Sequence, residues 1–311
     1  MVDVALMVNV ARLYYEESRT QVSIAKELGI TRLSVIELLK TARAEGIVRI
    51  EIVNPKEDFS LLEEIVAQKY RLKKVIIVPG KGNDTVQLPN HLARSAVSYL
   101  AETIEINDIV GIGWGLTVME ITKQLKEYGR RSIVVVPLIG GGNERQAQYD
   151  VNSLTKRFAS AFGGESYSLF APAVVDSKVI RDVIVTDSKI RQVTDFWKRM
   201  NVALIGIGVM TKEFPTAFNE NLTANPIDFK EKGIVGDVLS RFYGIEGNDI
   251  PLELHERMIG IDFSTLRKTE TVIGVAGGLA KYNAIYGAIK GSIINVLITD
   301  ENVARKLAKH S

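Results

Sequence analysis

Three glycine-rich stretches in this 311-residue chain each follow a short apolar run: Gly111-Ile112-Gly113-Trp114-Gly115-Leu116-Thr117, Gly140-Gly141-Gly142-Asn143 and Gly277-Gly278-Leu279-Ala280-Lys281. Glycine lets backbone N–H groups approach an anion, and a helix starting just beyond adds the positive end of its dipole. The chemistry on offer is therefore anion binding. Gly113, Gly115, Leu116, Thr117, Gly141, Gly142 and Gly278 supply the amides and a hydroxyl. Lys281 either adds a mobile cation or is an ordinary solvated lysine. No Walker A loop is present, for want of Gly-Lys-Ser/Thr, and no complete dinucleotide fingerprint. With no cysteine, disulfides and thiolate metal sites are ruled out. His91, His255 and His310 lie far apart without ligand spacing, so neither a zinc site nor any other cofactor is expected.

Apolar runs at 75–78, 109–113, 133–139, 202–207, 272–276 and 294–298 must position these loops. Helical segments alternate with them, among them 92–104, one from Thr117 and a closing helix over 301–309. Short runs apolar on every side imply a parallel sheet covered on both faces. The expected class is α/β, doubly wound and mostly parallel, with ligands held beyond the carboxyl ends of the strands. The length is about twice a typical domain, and 46% hydrophobic with 24% charged residues is ordinary for a folded chain. The N-terminus carries acidic residues and no basic n-region, and no run of ~18 apolar residues occurs. A cytoplasmic protein with no membrane partner is expected.

The first 54 residues have another rhythm. Thr20 is a hydroxyl N-cap ahead of Val22, Ile24, Ala25 and Leu28 on one face, and Gly29 suits a left-handed C-cap. Thr31 caps a second helix over 32–43, whose inner face would be Val35, Leu38, Leu39 and Ala42. Upstream, Val8, Ala11, Leu13 and Tyr14 suggest a supporting helix. Downstream, Glu45-Gly46 turns into an alternating run over 47–53 that reads as a wing. This is the layout of a winged helix-turn-helix, although the bare outline equally fits a small helical bundle. Charge decides little: residues 18–50 carry six basic against three acidic side chains, a net of +3, which falls to +1 once residues 1–17 are added. A helix over 59–70, with Leu61, Leu62, Ile65 and Val66 on one side, is either a hinge and oligomer contact or packs on its own domain. The expected division is 1–54 and 55–311.

The wording of the sequence adds to this reading. ARLYYEE, TQVSIAKELGITR and LLKTARAEGIV, followed by GIGWGLTV, VVPLIGG, YDVNSLT, VGDVLSRFYGIEG and AGGLAKYNAIYGAI, resemble SorC/DeoR-type sugar-binding regulators, SorC above all, over nearly the whole chain. The resemblance implies a DNA-binding head on operator DNA and a larger effector domain similar to the sugar-phosphate isomerase and deaminase fold. It also implies a transcription regulator controlled by a phosphorylated sugar and working as a homo-oligomer, a dimer or a tetramer. In a helix-turn-helix the start of the second helix faces base edges, which points to Arg32, Leu33 and Ser34 as readers. Thr20, Gln21 and Thr31 would hold phosphates, and Glu37 and Lys40 complete the DNA-facing set. Where the family usually has Ser-Arg this chain has Ile36-Glu37, so the operator sequence does not carry over. By the same resemblance Gly115, Thr117 and Lys281 would bind phosphate and Asp237 and Asn152 sugar hydroxyls. Arg241 would either brace Asp237 or touch ligand. One branch of the family has a Schiff-base lysine directly before Gly-Gly; here that position is Ile139, which implies non-covalent binding.

The rival reading is an enzyme of the isomerase or deaminase type. Residues 204–208 followed by Phe218-Asn219-Glu220 echo the active-site loop of such deaminases. That chemistry needs a carboxylate and histidine on the loop, and residues 209–217 offer no histidine and one poorly placed glutamate, Glu213. A third reading is a DNA-binding protein whose sugar site is vestigial.

Overall fold

Asp3 accepts hydrogen bonds from the amides of Ala5 and Leu6 and so starts the first helix, α1 (Val4–Tyr15). The chain is seen here as a computed structural model that describes residues 3–48, 58–80, 87–129, 131–142, 150–209 and 231–310. It divides into two units, Met1–Glu57 and Asp58–Ser311.

In the first unit Thr20 Oγ1 accepts from Ser23 N and opens α2 (Gln21–Leu28), while Thr31 Oγ1 accepts from Ser34 N and opens α3 (Arg32–Ala44). Each cap stabilises its helix by about 1 kcal/mol. Between the helices Gly29 sits at φ +64°, where a side chain would be strained. The three helices close on Met7, Val10, Ala11, Leu13, Ile24, Ala25, Val35, Leu39 and Ala42. Val22, grouped with Ile24, Ala25 and Leu28 on one helix face, and Val8, grouped with the supporting helix, face solvent, 61% and 38% exposed. The buried stripe of α1 runs through Met7 and Val10, and the 3.6-residue period leaves Val8 outside it. Tyr14, Leu28 and Leu38 pack at the margin. Of the expected wing, Ile47 and Val48 form no strand, and 49–53 lie outside the described residues.

The second unit begins with α4 (Ser60–Tyr70), whose Val66 is buried. Strands and helices then alternate: β1 (Lys74–Val78), α5 (Leu88–Thr103), β2 (Ile109–Ile112), α6 (Leu116–Gln124), β3 (Val134–Pro137), α7 (Val151–Ala161) and β4 (Glu165–Ser166). After α8 (Lys178–Ile184) and α9 (Ser188–Trp197) come β5 (Val202–Gly206) and a hairpin of β6 (Ile234–Val238) and β7 (Arg241–Gly244). Two single turns, α10 (Glu253–Glu256) and α11 (Phe263–Leu266), precede β8 (Thr271–Val275), α12 (Tyr282–Lys290), β9 (Val296–Asp300) and α13 (Glu301–Lys309).

Among the described residues seven strands form one parallel sheet in the order β1-β9-β8-β5-β2-β3-β4, with β6-β7 an antiparallel pair beside it. One core gathers α5, α6 and α7, including Leu92, Leu100, Ile121 and Phe158; the other gathers α4, α9, α12 and α13, including Val66, Trp197, Ile285 and Leu307. Helices thus cover both faces, which is why the strands between them are apolar throughout. The short, exposed β4 and the β6–β7 hairpin carry no apolar run and were not anticipated.

Candidate functional site

From β2 the chain winds outward to β3 and β4; from β5 it winds the other way to β8 and β9. β2 and β5 are neighbours, with Val110 opposite Val202 and Ile112 opposite Leu204. The winding direction therefore reverses between them, and the crevice beyond their carboxyl ends is where such sheets bind ligands. Two loops meet there. Gly113 N donates to Leu204 O at 2.9 Å, and Gly115, at φ +102°, hands the chain to α6 without a side-chain cap. Leu116 is exposed and Thr117 half-buried. On the β5 side, a Cβ placed on Gly206 would lie 3.7 Å from Thr117 Cβ, ordinary contact, so the two loops touch.

The wall beside β5 is the hairpin. Gly208 N donates to Asp237 O at 2.9 Å and Asp237 N to Gly208 O at 3.2 Å, and a Cβ on Gly208 would overlap Asp237 Oδ1. The Asp237 side chain is buried. Its Oδ2 accepts from Ser240 N at 3.2 Å, while Oδ1 has no hydrogen-bond partner among the described residues. Burial pushes this carboxyl up to about 6, opposed by the Ser240 amide and the charge of Lys281. The turn that aims Ser240 at it is strained: Leu239 and Ser240 stand at φ +52° and +61° without being glycine, each at about 1 kcal/mol or more. Leu239 is buried, 3.0 Å from where a Cβ on Gly113 would stand, and thereby pins the turn to the β2 loop.

Lys281 enters from β8. Gly278, at φ +92°, donates its amide to Asp300 Oδ2 at 2.6 Å and opens a 3-10 turn, Leu279–Lys281, ahead of α12. Lys281 thus ends the 3-10 turn and stands at the N-cap of α12. Its Nζ is not adrift in solvent: it donates to Ile207 O at 2.8 Å. Burial lowers its pKa and Asp237 raises it. The structure accordingly gathers Thr117, Asp237 and Lys281 around the Gly206-Ile207-Gly208 segment with Gly113 beside it, while the amides of Gly113 and Gly278 are already given to Leu204 O and Asp300 Oδ2. That segment is absent from the expected binding set, although an apolar strand running into Gly-Ile-Gly is signal enough.

Other residues expected at the site have different duties. Gly140 is glycine for close backbone approach, since a Cβ there would crowd Ala171 and Pro172; Gly140 N donates to Ile259 O at 2.9 Å and Gly141 N to Ala171 O at 2.8 Å. Their amides are not free for an anion. Gly142 is exposed, and Asn143 lies outside the described residues. Asn152 accepts from Leu169 N at 2.8 Å and donates to Leu169 O at 3.4 Å, which braces that segment. Arg241 does not brace Asp237. It donates to Ile261 O at 2.6 Å and Gly260 O at 3.3 Å, and the charges acting on it are Asp262, Arg181 and Asp249. Ile139 is fully buried and bridged to Gly260. Of the deaminase-like stretch residues 204–209 are described, and the rest, with Glu213 and 218–220, lies outside the described residues.

Of the residues expected to meet DNA, Thr20, Gln21 and Arg32 line one notch of the first unit. Thr20, Thr31, Arg32, Leu33, Glu37 and Lys40 are exposed, and Gln21 and Ser34 half-buried. Arg32 Nε reaches Gln21 Oε1 at 3.5 Å, joining the two helix starts, and Thr31 Oγ1 lies 2.8 Å from Ser34 Oγ. A concave notch of ≈ 550 Å³ opens between Tyr14, Arg19, Gln21 and Arg32. Arg19 in it is paired with Glu17 and Glu27, which raise its pKa and leave Arg32, among the described residues, as the notch's cation without an acidic partner.

Residues 54–309 match the sequence family described as "Putative sugar-binding domain". The chain is 32% identical over 310 residues to the sorbitol operon regulator of Klebsiella pneumoniae, covering 99% of this chain and 98% of that one. It is 34% identical to the deoxyribonucleoside regulator of Bacillus subtilis, covering 97% and 96%. The crystal structure of the full-length Klebsiella regulator superposes with a TM-score of 0.78 at 32% identity, covering 99% of this chain and all of that chain. Among the described residues no helix is long and apolar enough to cross a membrane.

Proposed function

This chain belongs to the SorC family of sugar-binding transcriptional regulators, and from that premise we propose that a phosphorylated sugar, held reversibly in the β2–β5 crevice, sets its affinity for operator DNA. It is a transcription regulator and not an enzyme. The observation that carries the proposal is Asp237: a buried carboxylate with one oxygen unpartnered among the described residues, at the switch point of the sheet. A buried unpaired acceptor is unfavourable, and a sugar hydroxyl relieves it. Lys281, whose ammonium rests on the Ile207 carbonyl, can turn to a phosphate, and the amides that open α6 have no side-chain cap to compete with one. With Ile139 buried before Gly140, no lysine stands there to attack an aldehyde.

The first unit presents Arg32, Leu33 and Ser34 to base edges and Thr20, Gln21 and Thr31 to phosphates, with Glu37 and Lys40 further along α3. One such head reads too few base pairs for genomic specificity, so the working form is a homo-oligomer of two or four chains. Ligand binding shifts it between two arrangements of the heads.

Thermal unfolding with a panel of phosphorylated sugars tests this, because a ligand of the native state at a hundredfold over its Kd adds about 2.7 kcal/mol. A sugar phosphate that raises the Tm of the wild type but not of Asp237→Asn supports the proposal. A panel without effect, or an equal shift in both proteins, refutes it.

A further inference from the structure

A second cavity, of ≈ 760 Å³, shares no residue with the glycine loops. Its volume is that of a small-molecule site. Trp197, Leu252, Met258 and Ile259 give it apolar walls, and Arg181, Arg241 and His255 line it together. These three are donors in search of an acceptor. Arg241 uses Nε and Nη2 on the carbonyls of Ile261 and Gly260, which leaves Nη1. Arg181 uses Nε on Glu256 O and beside Asp182, which leaves both terminal nitrogens. The Nδ1 atom of His255 accepts from Leu252 N at 3.3 Å, so the neutral ring carries its proton on Nε2, and that atom is buried without a partner among the described residues. The ring is kept neutral because burial, aided by Arg241, pushes its pKa down to about 4, against the nearby Ser240 backbone and the charge of Asp249, which favour the protonated ring.

Among the described residues no carboxylate lining the cavity is hydrogen-bonded to the three, although Asp262 acts on Arg241 by its charge. Asp262 caps α11, accepting from Thr265 N and Ser264 Oγ at 2.7 Å each, and Glu253 and Glu256 are exposed. Burial lowers the pKa of Arg241; Asp262 opposes this, and the like charge of Arg181, which also lines the cavity, adds to it as a repulsion. A negative oxygen group between them would remove that repulsion and could be gripped bidentately. We propose that this cavity is a second ligand site, binding a small organic oxyanion, a carboxylate or a phosphate ester, independently of the β2–β5 crevice.

The chain's two tryptophans separate the sites: Trp114 is in the β2 loop and Trp197 lines this cavity. In the full-length Trp114→Phe protein, emission comes from Trp197 alone. Inorganic phosphate and citrate are titrated in turn, to distinguish the two oxyanion sources. A saturable change is expected with at least one probe. Arg181→Gln, or Arg241→Lys as a charge-conserving second variant, raises its half-saturation concentration at least about tenfold, the worth of one charge-assisted hydrogen bond. Lys281→Met leaves it in place. No saturable change with either probe, a curve indifferent to both arginine variants, or one abolished by Lys281→Met overturns the proposal.

Discussion

Replacing Asp237 by asparagine removes the titration that burial distorts, so the variant reports what the carboxylate costs the fold. The folded carboxyl titrates at about 6 against an ordinary value of 3.8. Between those values the folded protein holds a proton that the unfolded chain has released, so stability falls as pH rises through this window and levels off above it. The full displacement corresponds to about 3 kcal/mol, of which about 1.4 kcal/mol falls between about pH 5 and about pH 7.5. Any constant effect of the amide cancels in this difference. The carboxamide oxygen of the variant would still accept from the Ser240 amide, so the turn keeps its anchor. In thermal melts the wild type should lose about 3–6 °C relative to Asp237→Asn across that pH span, at ~2–4 °C per kcal/mol for a unit of this size. A gap that stays flat, or that grows in favour of the wild type as pH rises, would refute the claim that Asp237 is a buried, under-satisfied carboxyl.

Gly208→Ala drives a methyl into Asp237 Oδ1; calorimetry should show lost sugar-phosphate binding, and denaturant unfolding a stability loss of about 1–3 kcal/mol. Gly29→Ala meets no atom within 4 Å but must hold φ +64°, so denaturation should register only the left-handed strain, about 1–2 kcal/mol. Arg32→Ala, at the exposed start of α3, should weaken operator binding by about 1–3 kcal/mol and narrow the gap to non-specific DNA. Lys40→Ala should instead weaken all DNA alike and reduce the salt slope by about one counterion. Gel shifts at several salt concentrations separate those two outcomes.

Much of the scaffold was legible because its signals are local. Thr20, Gly29 and Thr31 act where hydroxyl caps and a left-handed glycine were expected, and the fully apolar runs became strands of a parallel sheet. The crevice was legible as loops but not as a set. Nothing local says that Gly140 and Gly141 give their amides to Ile259 and Ala171, or that Asn152 serves Leu169. Those partners are distant in sequence or lie in segments without periodicity. The β6–β7 turn was opaque for another reason: Leu239 and Ser240 occupy left-handed positions where Gly or Asn is usual. Arg241 shows the limit of motif reasoning. It lies four residues from Asp237 yet lines the other cavity, because its side chain goes to Gly260 and Ile261.

The most direct test of the central claim is a gel shift of the full-length protein on its operator, with and without the sugar phosphate found by thermal shift. Operator affinity should change by about 5–150-fold, the usual range of allosteric coupling, while Asp237→Asn and Lys281→Met bind the operator and ignore the sugar. A wild type indifferent to every phosphorylated sugar, or variants that respond as the wild type does, would contradict the account.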